Sequence, residues 1–162
     1  MKYKSINELD AFSFHDAEIN EATLSETEMI WSVSDINATT KNTQNDNSKD
    51  MRIENAVMKF ENVSIKSLVF SASKTYGPDK KLIKSVEAMP AEPEKYAEIL
   101  SKTGFIFGVD EYRQKPDNTY SVRFNIDGTE IYNLTFSFSK SIIEWDEFSG
   151  EAWYEHPRFK KT

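Results

Sequence analysis

The sequence predicts a mainly β protein: an antiparallel β-sandwich or partly open barrel of about nine strands, with one or two short helices. Three observations lead there. Apolar and polar residues alternate in short runs, as where Tyr120, Val122, Phe124 and Ile126 interleave with Ser121, Arg123 and Asn125. Aromatic residues reach 13% of the chain, and such side chains suit a pleated, half-buried surface. Only Glu94–Lys102 has convincing helical spacing. A chain of 162 residues is expected to form one domain over 1–162, burying roughly 70% of its extended surface.

Ser5-Ile6-Asn7-Glu8 matches a capping box, which predicts a short helix ending near Ala11. Strands are expected over Glu18–Leu24 and Glu28–Ile36, joined by a hairpin at Ser25-Glu26-Thr27. In the second, Met29, Trp31 and Val33 select one face. Residues 37–50 are polar throughout and read as a long, flexible hairpin loop. Met51–Glu61 and Val63–Ala72 follow as strands, and a turn at Tyr76-Gly77-Pro78-Asp79 leads to a shorter one, Leu82–Ala88. Pro93 at an early helical position and Gly104 at the end bracket the helix, where Tyr96, Ile99 and Leu100 share a face. A meander completes the chain: Phe105–Arg113, Thr119–Ile126, Thr129–Ser139 and Ser141–Phe148. Asp127-Gly128 predicts a type I′ turn, since both central residues of that turn need positive φ. An aromatic tail occupies 149–162.

Several function classes lose their footing on composition. Without cysteine there is no disulfide, thiol nucleophile or cysteine-ligated metal. A net charge of −7 argues against nucleic acid and against an anionic membrane surface. The excess is concentrated early: within residues 1–28, Lys2 and Lys4 face seven carboxylates, a field that would steer a basic protein partner. No apolar run resembles a signal peptide or a membrane span, which places the protein in the cytoplasm as an expectation. Nucleotide-binding, zinc-protease and serine-hydrolase signatures are absent, and no cofactor is implied. Carboxylates are numerous; whether two form a glycosidase-like pair depends on their separation in space.

The first candidate site is Phe14-His15-Asp16-Ala17-Glu18-Ile19, where an imidazole and two carboxylates lie within six residues. If the stretch is extended, His15 shares a face with Ala17 and Ile19. The ring then points inward and takes backbone partners, while Asp16 accepts backbone N–H groups. The opposing reading turns His15, Asp16 and Glu18 outward as ligands or as a base with its orienting acid. Should the tail fold back, His15 and His156 would meet beside Asp146 or Glu147, although the spacing is poor for metal. The second candidate is the end of the last strand together with the tail, where Trp145, Asp146, Trp153, Tyr154 and His156 mix aromatics with acids. Trp145 and Trp153 either plug one end of the core or present an interface.

Phe14-His15-Asp16-Ala17-Glu18-Ile19 leading into a strand resembles the Phe-His-Asp-x-x-Ile opening of small bacterial β proteins of unknown function, some of them similar to immunity proteins of polymorphic toxin systems. The Gly-Glu-Ala-Trp-Tyr ending at residues 150–154 adds to the likeness. The resemblance implies a β-sandwich-like fold and a protein-binding role, with no catalytic residue to carry over. Two functions are therefore in play: a non-enzymatic, immunity-type protein-binding module, or a small-ligand-binding sandwich or barrel with a carboxylate-based hydrolase as its catalytic form.

Overall fold

The computed structural model describes residues 1–160, so the last two residues of the tail lie outside it. The chain runs through β1 (Tyr3–Ile6), β2 (Phe12–Ser13), β3 (Glu18–Leu24), β4 (Glu28–Ala38), β5 (Met51–Glu61), β6 (Ser64–Phe70), β7 (Ser73–Tyr76), β8 (Leu82–Val86) and β9 (Met89–Pro90). Helix α1 (Tyr96–Leu100) precedes β10 (Gly104–Gln114), β11 (Tyr120–Asp127), β12 (Ile131–Phe138), β13 (Lys140–Trp145) and β14 (Gly150–Glu151). Twelve strands form one antiparallel sheet in the order β1-β13-β5-β4-β3-β10-β11-β12-β6-β9, with β2 added to β4 and β14 to β5. Strands β7 and β8 pair only with each other.

The sheet bends back on itself at one corner. Ser139 alone separates β12 from β13, so residues 131–145 are nearly one strand. Its first half pairs with β6 and its second with β5, the two arms of a single hairpin. Ser139 N donates to Glu61 O at 2.9 Å and marks the corner. The inward faces then meet around Trp31, Phe60, Phe124, Phe136 and Phe138, all buried and mostly edge to face. Alternation in β4, β11 and β12 thus marks the core faces, and Met29, Trp31 and Val33 are indeed inward.

Among the described residues the strand count rises from about nine to fourteen. The additions β2, β9 and β14 are two residues long, too short for any pattern, and β7 lacks an apolar alternation. The predicted opening helix shrinks to one 3-10 turn, Leu9–Ala11. Ser5 Oγ does donate to Glu8, yet Ser5 pairs with Ile143 in the sheet. Ladder bonds to β13 therefore hold the backbone extended where the capping box alone favours a helix. The second helix is also broken, a 3-10 turn at Pro93–Lys95 leading into the five residues of α1.

The hairpin at Asp127-Gly128 forms with different chemistry. Asp127 pairs with Ile131 across a three-residue loop, and no residue from 127 to 130 has positive φ. Gly128 is required for proximity instead: a Cβ there would meet Thr103 O at 3.0 Å, and one on Gly104 would meet Ile126 Cγ2 at 2.9 Å. Of residues 37–50, expected as a flexible loop, Asn37 and Ala38 are instead the buried end of β4, and 39–50 follow a course set by buried Asn42 and Asn45. Asn42 Nδ2 donates to Ser5 Oγ, and Asn45 Nδ2 reaches the carbonyls of Ala38, Thr39 and Lys49. At Asn42 and Asn45 polarity means internal bonding, while Thr40, Lys41, Thr43, Asp46, Asn47 and Ser48 face solvent.

Two phenols report on burial. Desolvation pushes Tyr132 up to about 12 from an ordinary 10.0. Desolvation also lifts Tyr112 to about 12, with the charge of Asp10 adding to it. The folded state therefore favours the neutral phenol. For Tyr132 this contribution is complete below pH 10 and is lost as the pH rises toward 12, about 2–3 kcal/mol in all. Urea unfolding of wild type and Tyr132→Phe should agree closely near neutrality and diverge in favour of the variant above about pH 10. Parallel curves throughout would mean that this phenol titrates as if exposed.

Candidate functional site

The strand reading of the first motif fails at its start. Ala17 N donates to Phe14 O at 3.0 Å, closing a turn whose corner residues are His15 and Asp16. The ends of that turn are pinned. Phe14 is buried edge-on against Phe124, and Ala17 is fully buried and accepts from Ile106 N through its carbonyl. The corner residues of such a turn point away from the body, so His15 and Asp16 are exposed and the inward imidazole expected from alternation is not found. Glu18 begins β3 half-buried, opposite Ser34 and Phe105, while its neighbour Ile19 enters the core.

The tail does fold back onto this turn, but an indole makes the contact. Strand β14 pairs with the start of β5, Gly150 opposite Arg52 and Glu151 opposite Met51. Gly150 has φ +139°, a conformation that L side chains rarely adopt. Lys49 Nζ pairs with Glu151 at 2.9 Å, and buried Ala152 donates its N–H to Asp50 O. A 3-10 turn over Trp153–Glu155 then sets Trp153 above residues 15 and 16. Its Nε1–H donates to Asp16 Oδ2, and its ring lies 6.2 Å from that of His15. Phe159 stands edge-on to Trp153 at 5.1 Å. Trp153 remains 46% exposed and Phe159 52%, so together they form an aromatic ridge beside an exposed acid.

The other predicted site residues have separate duties. Trp145 is fully buried and stacked on Tyr3 at 5.3 Å, so of Trp145 and Trp153 it alone plugs the core. Asp146 accepts from Lys2 N at the exposed end of β13. Tyr154 Oη donates to Asp50 Oδ2 at 2.7 Å, and burial, reinforced by that carboxylate, raises its phenol. His156 Nδ1 accepts from Arg158 N, and its ring meets Phe159 at 6.2 Å. Among the described residues no three His, Asp or Glu side chains gather as metal ligands, so His15, His156 and Asp146 or Glu147 do not converge into a metal centre.

Asp50 and Glu155 escaped the sequence reading, although they hold the site together. Asp50 accepts from Thr40 N through Oδ1 and from Tyr154 through Oδ2, while its own N–H donates to Glu155 Oε1. Lys160 beside Glu155, together with that N–H, holds the carboxyl of Glu155 below its ordinary value. The loop and the tail are thereby stitched into one surface. Neither acid sits in a local motif; the only hint was an acid at each end of the segments that meet.

The chain matches no protein-family model, no curated protein and no solved structure.

Proposed function

We propose that the protein is a non-enzymatic protein-binding module, an immunity-type inhibitor that recognises a basic partner through the turn and tail. The observation that carries this reading is Trp153: half-exposed, oriented by Asp16 and flanked by His15 and Phe159. A large aromatic held in place by its polar edge is the side chain type that dominates protein interfaces, because little rotamer freedom is left to lose on binding. The net charge of −7, concentrated in the segment that includes Asp16, supplies attraction for a cationic surface. The small-ligand and hydrolase alternative asks for an enclosed site with converging acids, whereas His15 and Asp16 sit on an outward corner.

Stoichiometric capture of a basic protein from the native host, followed by titration calorimetry, tests the assignment. Trp153→Ala should weaken binding at least ~30-fold, the effect of a central interface aromatic, while far-ultraviolet circular dichroism stays unchanged. Asp16→Asn keeps an oxygen for the indole N–H and should instead slow association and flatten its salt dependence. A partner indifferent to Trp153→Ala, or no stoichiometric partner at all, would sink the proposal.

A further inference from the structure

Among the described residues, the hairpin of β7 and β8 pairs with no strand of the main sheet. Every residue from Ala72 to Pro90 is exposed except Gly77, which is half-buried. Yet its composition is that of a covered surface: Tyr76, Leu82, Ile83, Val86 and Met89 are all exposed, Ile83 to 70%. An isolated two-stranded ribbon is marginal in water, and unpaired edges beside exposed apolar side chains invite a partner.

The ribbon is rooted at the free end of the main sheet. The chain leaves β6 at Phe70 and returns at Met89, and these two residues pair in the ladder. Ser71 N donates to Ile131 O and fixes the exit. At this root lies a groove floored by Phe70, Met89, Pro90 and Ile99 and edged by Glu92 and by the Lys95–Glu98 ion pair.

Charge separates the two features. Residues 73–87 hold four lysines against two acids, in a chain that is otherwise acidic, whereas residues 88–100 hold three glutamates against one lysine. Among the described residues Lys74, Lys80 and Lys84 make no ion pair, nor do Glu92 and Glu94; Lys81 is beside Asp79 and Glu98 beside Lys95. A basic, apolar arm thus stands next to an apolar groove whose rim and flank carry the unpaired Glu92 and Glu94, on the same sheet edge.

We infer that the occupant of the groove is the ribbon of a second copy of this chain, exchanged reciprocally across a two-fold axis near Phe70 and Met89. A two-fold contact needs a self-complementary patch, and this edge holds both halves of one. Arm exchange covers the exposed apolar residues of both ribbons and sets free lysines against free glutamates. The overall negative charge disfavours an anionic membrane or nucleic acid as the occupant.

Sedimentation velocity over a concentration series tests this with the full chain. Wild type should sediment as a dimer that dissociates on dilution and with added salt. Lys80→Glu with Lys84→Glu makes the ribbon repel the groove, and Glu92→Lys with Glu94→Lys makes the groove repel the ribbon. Each variant alone should raise the dimer Kd by ~10-fold or more. Mixed in equal amounts they should recover the dimer, because ribbon and groove then carry opposite charges at both contacts. All four substituted positions are exposed, and circular dichroism checks that each variant is folded. A wild type that stays monomeric throughout, a dimer insensitive to both reversals, or a failure of the mixture to recover it would overturn the inference. So would a monomer whose ribbon binds vesicles containing phosphatidylserine.

Discussion

Phe60→Ala is expected to cost about 3–5 kcal/mol, the range for deleting a buried aromatic ring. Phe60 is fully buried in β5 and meets four rings, with centroids 5.5 Å from Trp31, 6.2 Å from Phe124, 5.0 Å from Phe136 and 5.1 Å from Phe138. It lies where β5 faces β11 and β12, so the bend of the sheet closes around it. Those neighbours belong to a paired sheet on either side and have little freedom to move inward, which keeps the cavity open and the cost high. Set against a total stability of about 5–15 kcal/mol, the loss is a large fraction of the whole. Urea unfolding should show a lower midpoint with the slope retained, and thermal unfolding should drop by about 10 °C or more. Phe60→Leu keeps most of the apolar volume and should cost clearly less. A Phe60→Ala loss under about 1 kcal/mol would show that the two faces of the sheet do not depend on this ring.

How much of this was legible follows from the length of each pattern. Strands β4, β11 and β12 could be read because each is long enough for its two faces to differ in polarity, and Trp31 and Phe124 fell on the apolar, buried side. The bond between Ser5 and Glu8 was legible too, but its consequence was not: pairing of Ser5 with Ile143 is decided by residues far away in sequence. The same limit governs the site. Asp16 and Trp153 each stood out, yet the hydrogen bond between them spans 137 positions and depends on β14 docking against β5. His15 was misplaced because alternation holds only inside a strand, and β3 begins three residues later, at Glu18. The ribbon fails in the opposite sense. Leu82, Ile83 and Val86 carry the composition of an ordinary buried strand, and only the three-dimensional arrangement reveals that they are left exposed.

Asn45→Asp should destabilise the protein by about 3 kcal/mol near neutral pH, a large effect for exchanging one atom group. The two amide hydrogens of Asn45 serve three carbonyls, at 3.1 Å for Ala38, 3.2 Å for Thr39 and 3.0 Å for Lys49. Its Oδ1 accepts from the backbone and side-chain N–H groups of Asn47. Aspartate retains that acceptor but turns a second oxygen toward three carbonyl oxygens in a buried site. Charge is then disfavoured in the folded state, so the introduced carboxyl must titrate above its ordinary value of about 4. A folded-state value raised in this way leaves stability unaffected by ionisation at low pH, and the penalty grows as the pH climbs past the unfolded value. The gap between variant and wild type in urea midpoint should accordingly be narrow near pH 4 and wide near pH 7, both approximate limits set by that carboxyl. The loop also carries Asp50, which holds Tyr154 and Glu155, so loosening it should release the tail. Trp153 fluorescence should shift toward that of a solvated indole as the carboxyl ionises. Equal gaps at both pH values would mean that Asn45 acts by shape alone, and an unchanged tail signal would separate the loop from the surface it is argued to support.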